Sequence, residues 1–135
     1  MKKIITLIVT LFLLSIFAVT SFAEGQVKII KHFDADTTEG FYKYRNEIVE
    51  AYFCDTIAGS EQTKNSWSVG ETPQMGIMAW LELNESESDR AAADRYNLYI
   101  GAEGGFYANS NMSYFFKDFK NLKKIDGFEN VNTEL

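Results

Sequence analysis

The stretch that decides the fold is the last third of the chain, Tyr96 to Leu135, which reads YNLYIGAEGGFYANSNMSYFFKDFKNLKKIDGFENVNTEL. Apolar residues recur there at every third position, at Phe116, Phe119, Leu122 and Ile125. Because an α-helix has 3.6 residues per turn, a strict spacing of three drifts by about 60° per step and carries the last residue off the helical face. The spacing therefore favours short turns followed by a strand over one continuous helix.

The residues from Asn111 onward strengthen that prediction, because they resemble the ~26-residue leucine-rich-type repeat of BspA-like bacterial surface proteins. The matching residues are Asn111, Met112, Ser113, Tyr114, Phe116, Leu122, Ile125 and Asp126. Phe119 belongs to the same motif at a position where the family often has cysteine, and Gly127-Phe128 replaces a more usual leucine-serine. The resemblance implies a short helix over 112–117, a turn, and a strand near 123–126, which together form one turn of a solenoid.

Helical periodicity offers an alternative for the same residues. An apolar stripe at helical spacing runs through Met112, Phe115, Phe116, Phe119 and Leu122. Asn111 or Ser113 is available to cap the first free amides, so the alternative is one amphipathic helix from Met112 to Lys124. The two predictions differ most clearly over residues 123–126.

The segments before the repeat also resemble the module that precedes the repeats in that family. They are Ser66–Val69, Met78–Trp80 and Tyr96–Gly101. The resemblance implies a capping domain over 24–110 and a single repeat over 111–135, the next repeat being due near position 137. Because a solenoid ends in unpaired strand amides and an apolar layer, we expect an exposed apolar face and an open strand edge there. Leu122, Ile125 and Phe128 would form the last apolar layer, and we expect the chain either to self-associate through that face or to fray there.

Alternating and β-branched patterns predict a β-rich α+β fold, a small capping sheet that leads into the solenoid turn. The predicted strands are Gln26–His32, Arg45–Ile57, Gly76–Leu83 and Tyr96–Ile100. Gly104-Gly105 is expected to reverse the chain into a hairpin with Phe106–Ala108. The acidic run Asn84–Asp89 is expected to form a solvated hairpin loop.

The start of the chain has the pattern of a secretory signal peptide over residues 1–23. Lys2-Lys3 precedes an uncharged apolar run from Ile4 to Val19, and Ser21 and Ala23 supply the small residues of a cleavage site. An uncleaved membrane anchor is the alternative, since the run approaches the ~17 residues that can span a bilayer. A lipid anchor would need a cysteine just after the apolar run, and the chain's single cysteine is Cys54.

Composition limits the function further. Cleavage after Ala23 would leave 11 basic and 19 acidic residues, a net charge of −8, which repels phosphate backbones and excludes nucleic acid as a partner. A single cysteine allows no internal disulfide, so the core must hold the fold. Cys54 is expected to be a small buried hydrophobe, the alternative being an exposed thiol in an intermolecular disulfide. Catalysis by Cys54 would need a base, and nothing identifies His32, the single histidine, as that base.

No catalytic, cofactor-binding or metal-binding residue is predicted. Asp34 and Asp36 resemble the start of a calcium loop, but Glu39 and Arg45 occupy its sixth and twelfth positions. The neighbouring carboxylates of the acidic loop could suggest a metal site but fit a solvated loop better; they are Glu82, Glu85, Glu87 and Asp89. The sequence has no Ser-His-Asp order, zinc spacing or phosphate loop.

The resemblance implies a secreted or cell-surface, non-enzymatic protein, the cap module of a repeat surface protein. Its expected role is adhesion, through a protein on a host or neighbouring cell. One alternative is a stand-alone secreted binding or inhibitor protein. The other is a cell-wall hydrolase, for which the acid pairs Glu47 with Glu50 or Glu82 with Glu103 would be available. The aromatics Tyr42, Tyr44, Trp67 and Tyr107 are expected to pack against strands rather than to contact a ligand.

The first testable prediction concerns export. We expect the exported chain to begin at Glu24, because signal peptidase reads the small residues at Ser21 and Ala23. Amino-terminal sequencing or the intact mass of the secreted protein measures this directly. Recovery of the full-length chain from the membrane fraction would contradict the prediction.

Overall fold

The computed structural model describes residues 26–134, so the predicted cleavage site at Ala23 lies outside the described residues. The structure in this part of the chain is a small, sheet-rich α+β domain with one helix. Its strands are β1 (Ile48–Cys54), β2 (Ser66–Ser68), β3 (Met78–Leu83), β4 (Tyr96–Gly101), β5 (Phe106–Tyr107), β6 (Lys124–Asp126) and β7 (Val131–Asn132). The helix, α1, spans Glu85–Ala91, and short 3₁₀ helices cover Gly40–Tyr44, Ala58–Gln62, Pro73–Met75 and Phe128–Asn130.

Five strands form one mixed sheet in the order β2-β3-β4-β1-β6. Strand β1 runs parallel to β4 on one side and to β6 on the other, whereas β2, β3 and β4 are successively antiparallel. Strands β5 and β7 form a second, smaller parallel ladder, to which Ile29 adds a parallel bridge at Tyr107. The sequence prediction of strands in these regions is confirmed for β1, β3, β4 and β6.

One face of the large sheet carries the core. Ala51 and Phe53 of β1, Leu98 and Ile100 of β4, and Leu81 of β3 are all buried on that face. The 3₁₀ helix Gly40–Tyr44 and the turns after residue 111 cover it and contribute a layer of aromatic rings. Those rings are Phe33, Phe41, Tyr42, Phe115 and Phe119. Because side chains alternate along a strand, the opposite face carries Glu50, Tyr52 and Cys54 of β1.

A row of three stacked aromatic rings crosses that opposite face. Trp80 lies opposite Tyr99 in the β3–β4 register, and Tyr99 lies opposite Tyr52 in the β4–β1 register. The Trp80–Tyr99 ring centroids are 5.5 Å apart and the Tyr99–Tyr52 centroids 5.1 Å. Cross-strand aromatic pairs stabilise a sheet by roughly 0.2–1 kcal/mol each, so this row holds three strands in one register.

Glycine is required at the corner that leads from β6 to β7. Gly127 has φ = 85°, and a Cβ built there would lie 2.0 Å from the Phe53 carbonyl oxygen. The corresponding corner between β4 and β5 includes Gly104, also left-handed at φ = 78°, but a Cβ there would meet nothing within 4 Å. The β6 corner therefore fits against β1 at a distance that only glycine permits.

Three expectations about local structure are wrong. The acidic run is not a hairpin loop but helix α1. The Asn84 side chain caps this helix by accepting a hydrogen bond from Glu87 N. Glu85 and Glu87 occupy its first turn, where the helix dipole favours negative charge. The segment Gln26–His32, which was predicted as a strand, makes only isolated bridges. Ile29 pairs with Tyr107 on one side and Ile30 with Gly70 on the other, so neither neighbour pairs with more than one of its residues.

The predicted hairpin between β4 and the Phe106–Ala108 segment is also wrong. Strand β5 pairs in parallel with β7 in the small ladder, whereas β4 belongs to the large sheet. The Gly105 N to Ala102 O hydrogen bond closes a turn after β4, but the chain then leaves the large sheet and does not pair with β4.

The second prediction tests the corner at Gly127. We expect Gly127→Ala to lower the free energy of unfolding by about 1–2 kcal/mol for the left-handed backbone plus about 1–3 kcal/mol for the clash with the Phe53 carbonyl. Gly104→Ala is the matched control, because it changes the same residue type at a positive φ in open space, and it should show only the first cost. Urea denaturation measures both. Equal losses in the two variants would show that β6 does not lie against β1 as described.

Candidate functional site

An apolar cavity of about 340 Å³ lies at the end of the molecule formed by the last strands, and we call it the C-terminal hollow. Its walls come from β1, from the turns after residue 111, from β6 and from the corner that follows β6. The lining residues are Phe53, Ala108, Met112, Phe115, Phe116, Ile125, Phe128, Val131 and Thr133. Only the threonine has a polar side chain, so the hollow presents an almost purely apolar surface.

The hollow is open to solvent along the side of β6. Phe128 is 61% exposed and Ile125 36%, whereas Phe53 and Phe115 at the base of the hollow are each 5% exposed. Phe128 keeps one face against the core, since its ring centroid lies 5.3 Å from that of Phe53. An exposed phenyl ring that continues an apolar hollow is typical of a contact surface, because it makes the apolar surface contiguous.

Two open strand edges border the hollow. Strand β6 has β1 as its only neighbour, and β7 has β5, among residues 26–134. Lys123 N donates to the Val49 carbonyl of β1 at 2.9 Å, so the odd-numbered residues of β1 face β6. Ala51 lies opposite Ile125 in this parallel pair, so the Lys124 C=O and the Asp126 N–H face β1, and the N–H and C=O groups of Ile125 point toward the open side. These groups are available to a further strand.

Hydrogen bonds from the first part of the chain hold the wall of the hollow. The buried Tyr42 hydroxyl donates to the Phe115 carbonyl at 2.7 Å, and burial raises the pKa of this phenol well above its ordinary value of 10.0. His32 Nδ1 lies 2.9 Å from the Asn111 carbonyl oxygen, and Asn109 Nδ2 donates to the Ile30 carbonyl at 3.2 Å. The turns after residue 111 are thus fixed to the N-terminal segment.

The structure distributes the predicted repeat motif over three environments. Met112, Phe116 and Ile125 line the hollow. Phe119 is 7% exposed in the core, and Leu122 packs against it. The remaining motif residues are exposed: Asn111, Ser113, Tyr114 and Asp126.

Two of those exposed side chains stabilise turns. Asn111 Oδ1 accepts from Ser113 N at 3.1 Å, and Asp126 Oδ1 accepts from Gly127 N at 2.9 Å.

The strand predicted over 123–126 is confirmed as β6, so the alternative of one continuous helix from Met112 to Lys124 is wrong. The short helix predicted over 112–117 is also wrong. Tyr114 and Asp118 have φ values of 69° and 64°, and left-handed residues interrupt a right-handed helix. The segment is a chain of turns, in which Phe115 N bonds Met112 O and Leu122 N bonds Phe119 O.

Sequence reasoning missed Phe53 and Val131 as members of the site. Phe53 gave no signal beyond its place in a predicted strand, because its partners come from distant parts of the chain. Phe128 did carry a signal: it is an aromatic residue directly after a glycine, at a position where the resembled repeat has a small polar residue.

Four of the acidic candidates make side-chain contacts, whereas Glu47 Oε2 is buried without a hydrogen-bond partner among the described residues. Glu82 Oε1 accepts from Trp80 Nε1 at 3.1 Å, Glu50 accepts from the Tyr52 hydroxyl, and Glu103 Oε1 accepts from Ile57 N at 3.0 Å. Glu87 pairs with Lys123 at 2.6 Å, and the hydrogen bond from that lysine lowers the pKa of the carboxyl group. No group of three metal-ligating side chains occurs within residues 26–134.

Cys54 is half-buried on the sheet face opposite the core, so it is less enclosed than expected. Burial, together with the nearby negative charges of Asp55 and Glu82, raises the pKa of its thiol. Because the thiolate is the reactive form, this environment disfavours nucleophilic chemistry at neutral pH.

Comparison with family models, with curated proteins and with solved structures finds no match for this chain. In the portion of the chain that the structure covers, no helix has the length and apolar character needed to cross a membrane.

The third prediction tests the bond that anchors the wall of the hollow. Tyr42→Phe leaves the buried Phe115 carbonyl without its donor, and we expect the free energy of unfolding to fall by about 1–3 kcal/mol. Tyr44→Phe is the control, because the Tyr44 hydroxyl makes a longer bond of 3.3 Å to a side chain, Asn65, and its loss should cost less. Thermal or chemical unfolding measures both, and an unchanged Tyr42→Phe variant would refute the anchoring role.

Proposed function

We propose that this chain is a secreted, non-enzymatic interaction module that binds a protein partner through the C-terminal hollow and the strand edges beside it. The observation that carries the proposal is the exposure of the Phe128 and Ile125 side chains next to the backbone groups of Ile125, which face the open edge of β6. Apolar side chains and free backbone groups in one place suit an extended polypeptide, which fills the hollow with side chains and adds its backbone to the sheet.

The repeat resemblance supports a particular form of this proposal, in which the occupant is a further repeat. Strand β4, its corner and β5 form one strand–corner–strand unit, and β6, its corner and β7 form another. Strand β5 pairs in parallel with β7, roughly one repeat length further along the chain, and β4 and β6 both run parallel to β1, which lies between them. A third unit of this kind would extend both ladders in parallel and cover the hollow, so the described residues would act as the cap of a repeat array.

A stand-alone secreted binding or inhibitor protein would use the same surface with a separate partner. Adhesion to a host or neighbouring cell follows from the resemblance, and export follows from the signal-peptide pattern of residues 1–23. The hydrogen-bonded carboxylates of Glu50, Glu82 and Glu103 and the raised pKa of the Cys54 thiol support a non-enzymatic role.

The fourth prediction tests the face as a whole. Fusing two family-type repeats after Leu135 should raise the unfolding temperature and slow hydrogen exchange at β6, because the added strand supplies partners for its open groups. The same fusion carrying Phe128→Asp is the matched control, and its gain should be smaller because a carboxylate replaces the apolar side chain at the interface. A fusion that melts at the temperature of the unextended chain, with unchanged exchange at β6, would contradict the proposal.

A further inference from the structure

The open edge of β6 is complementary to itself. Its three residues are Lys124, Ile125 and Asp126, a cation and an anion on either side of an apolar residue. When two copies of such a triplet run antiparallel about the central residue, each lysine lies opposite the aspartate of the other copy. We propose that the chain forms a two-fold symmetric dimer in which β6 pairs antiparallel with β6 of a second copy, centred on Ile125. This inference rests on the proposed function, since it names a partner for the same face.

The backbone alternation fits this register. The N–H and C=O groups of Ile125 point toward the open edge, because the Lys124 C=O and the Asp126 N–H face Ala51 of β1 on the other side. In an antiparallel ladder, two opposed residues whose groups point at each other exchange both hydrogen bonds. Ile125 opposite Ile125 of the second copy is such a pair, at the centre of the two-fold axis. Lys124 opposite the second copy's Asp126 is then a non-hydrogen-bonded pair on each side of it, where opposed side chains lie closer together.

The side chains fit the register as well. Lys124 and Asp126 lie on the sheet face opposite the core, where the Lys124 ammonium is 5.1 Å from the centre of the Tyr52 ring. Within one chain their charges pair only loosely, with Lys124 Nζ 3.8 Å from Asp126 Oδ2. Directly opposed residues in an antiparallel pair have Cβ atoms about 4.5–5.5 Å apart, close enough for a direct ion pair.

The same register also covers the apolar side chain at this edge. Ile125 points to the face that bears the hollow and is 36% exposed, so its pairing with a second Ile125 covers apolar surface in both copies. A parallel arrangement of the two β6 strands would bring like charges together, which is unfavourable. Charge complementarity therefore selects the antiparallel dimer and joins the two sheets into one.

The experiment uses charge exchange in the chain from Glu24 onward, which contains every described residue, and measures mass by sedimentation velocity over a range of concentrations. Lys124→Asp places aspartate opposite aspartate at both pairs, and Asp126→Lys places lysine opposite lysine. Each variant alone should have a dimer Kd raised about tenfold or more. The double variant Lys124→Asp/Asp126→Lys restores opposite charges at both pairs and should dimerise again.

Mixing the two single variants gives the most specific readout. In a mixed dimer, both residues of one copy are acidic and both of the other are basic, so both pairs are complementary. We expect the mixture to form a heterodimer more tightly than either variant forms a homodimer, and we expect this gain to shrink at high salt. Rescue by mixing cannot come from a change in stability of one variant, because each chain keeps its own substitution.

A wild-type chain that stays monomeric up to high concentration, or a mixture that associates no better than its components, would overturn the dimer. The repeat fusion keeps this result separate from the proposed function. If the fusion gains stability while the wild-type chain is monomeric, the face is an interface for another polypeptide and only the self-pairing is wrong. If the fusion gains nothing and β6 exchanges unchanged, the interaction face itself is wrong. If the dimer is real, the fusion should also abolish it, because the added repeat occupies the same edge.

Discussion

Phe53 connects the sheet to everything that follows residue 100. Its ring centroid lies 6.0 Å from that of Phe106, 6.3 Å from that of Phe115 and 5.3 Å from that of Phe128. Its carbonyl oxygen accepts a hydrogen bond from Asn130 Nδ2 at 2.9 Å. Because one residue of β1 contacts both strand–corner–strand units, the C-terminal end cannot take its shape until β1 is in the sheet.

This arrangement explains how a chain without an internal disulfide holds a corner built from short strands. Strand β6 has only three residues and a single strand neighbour, which is too little for stability on its own. Aromatic contacts replace the missing backbone pairing, and glycine at position 127 lets the corner approach β1. The same construction leaves the outer side of β6 and the side chain of Phe128 uncovered. The candidate site is therefore a direct consequence of how the C-terminal end of the domain is built.

The sequence predicted those parts of the fold whose pattern is local. Alternation marked β3 and β4, and the three-residue spacing before Ile125 separated a strand from a helix. Helix α1 was missed because its N-cap Asn84 and its contact from Lys123 stabilise a run that composition alone marks as a loop. The pairing of β5 with β7 could not be predicted, since it depends on a long-range register. The hollow was predicted only as an exposed apolar end, without Phe53 as its base.

The most direct test of this account is residue-resolved hydrogen exchange across β6 in dilute solution, where two copies do not meet. The amides of Lys123 and Asp126 face β1 and should exchange slowly, whereas the amide of Ile125 faces the open edge and should exchange fast. This alternation would show a strand that is paired on one side and free on the other. Uniformly slow exchange would mean that the edge is already covered, uniformly fast exchange would mean that β6 does not join the sheet, and either result would contradict the account.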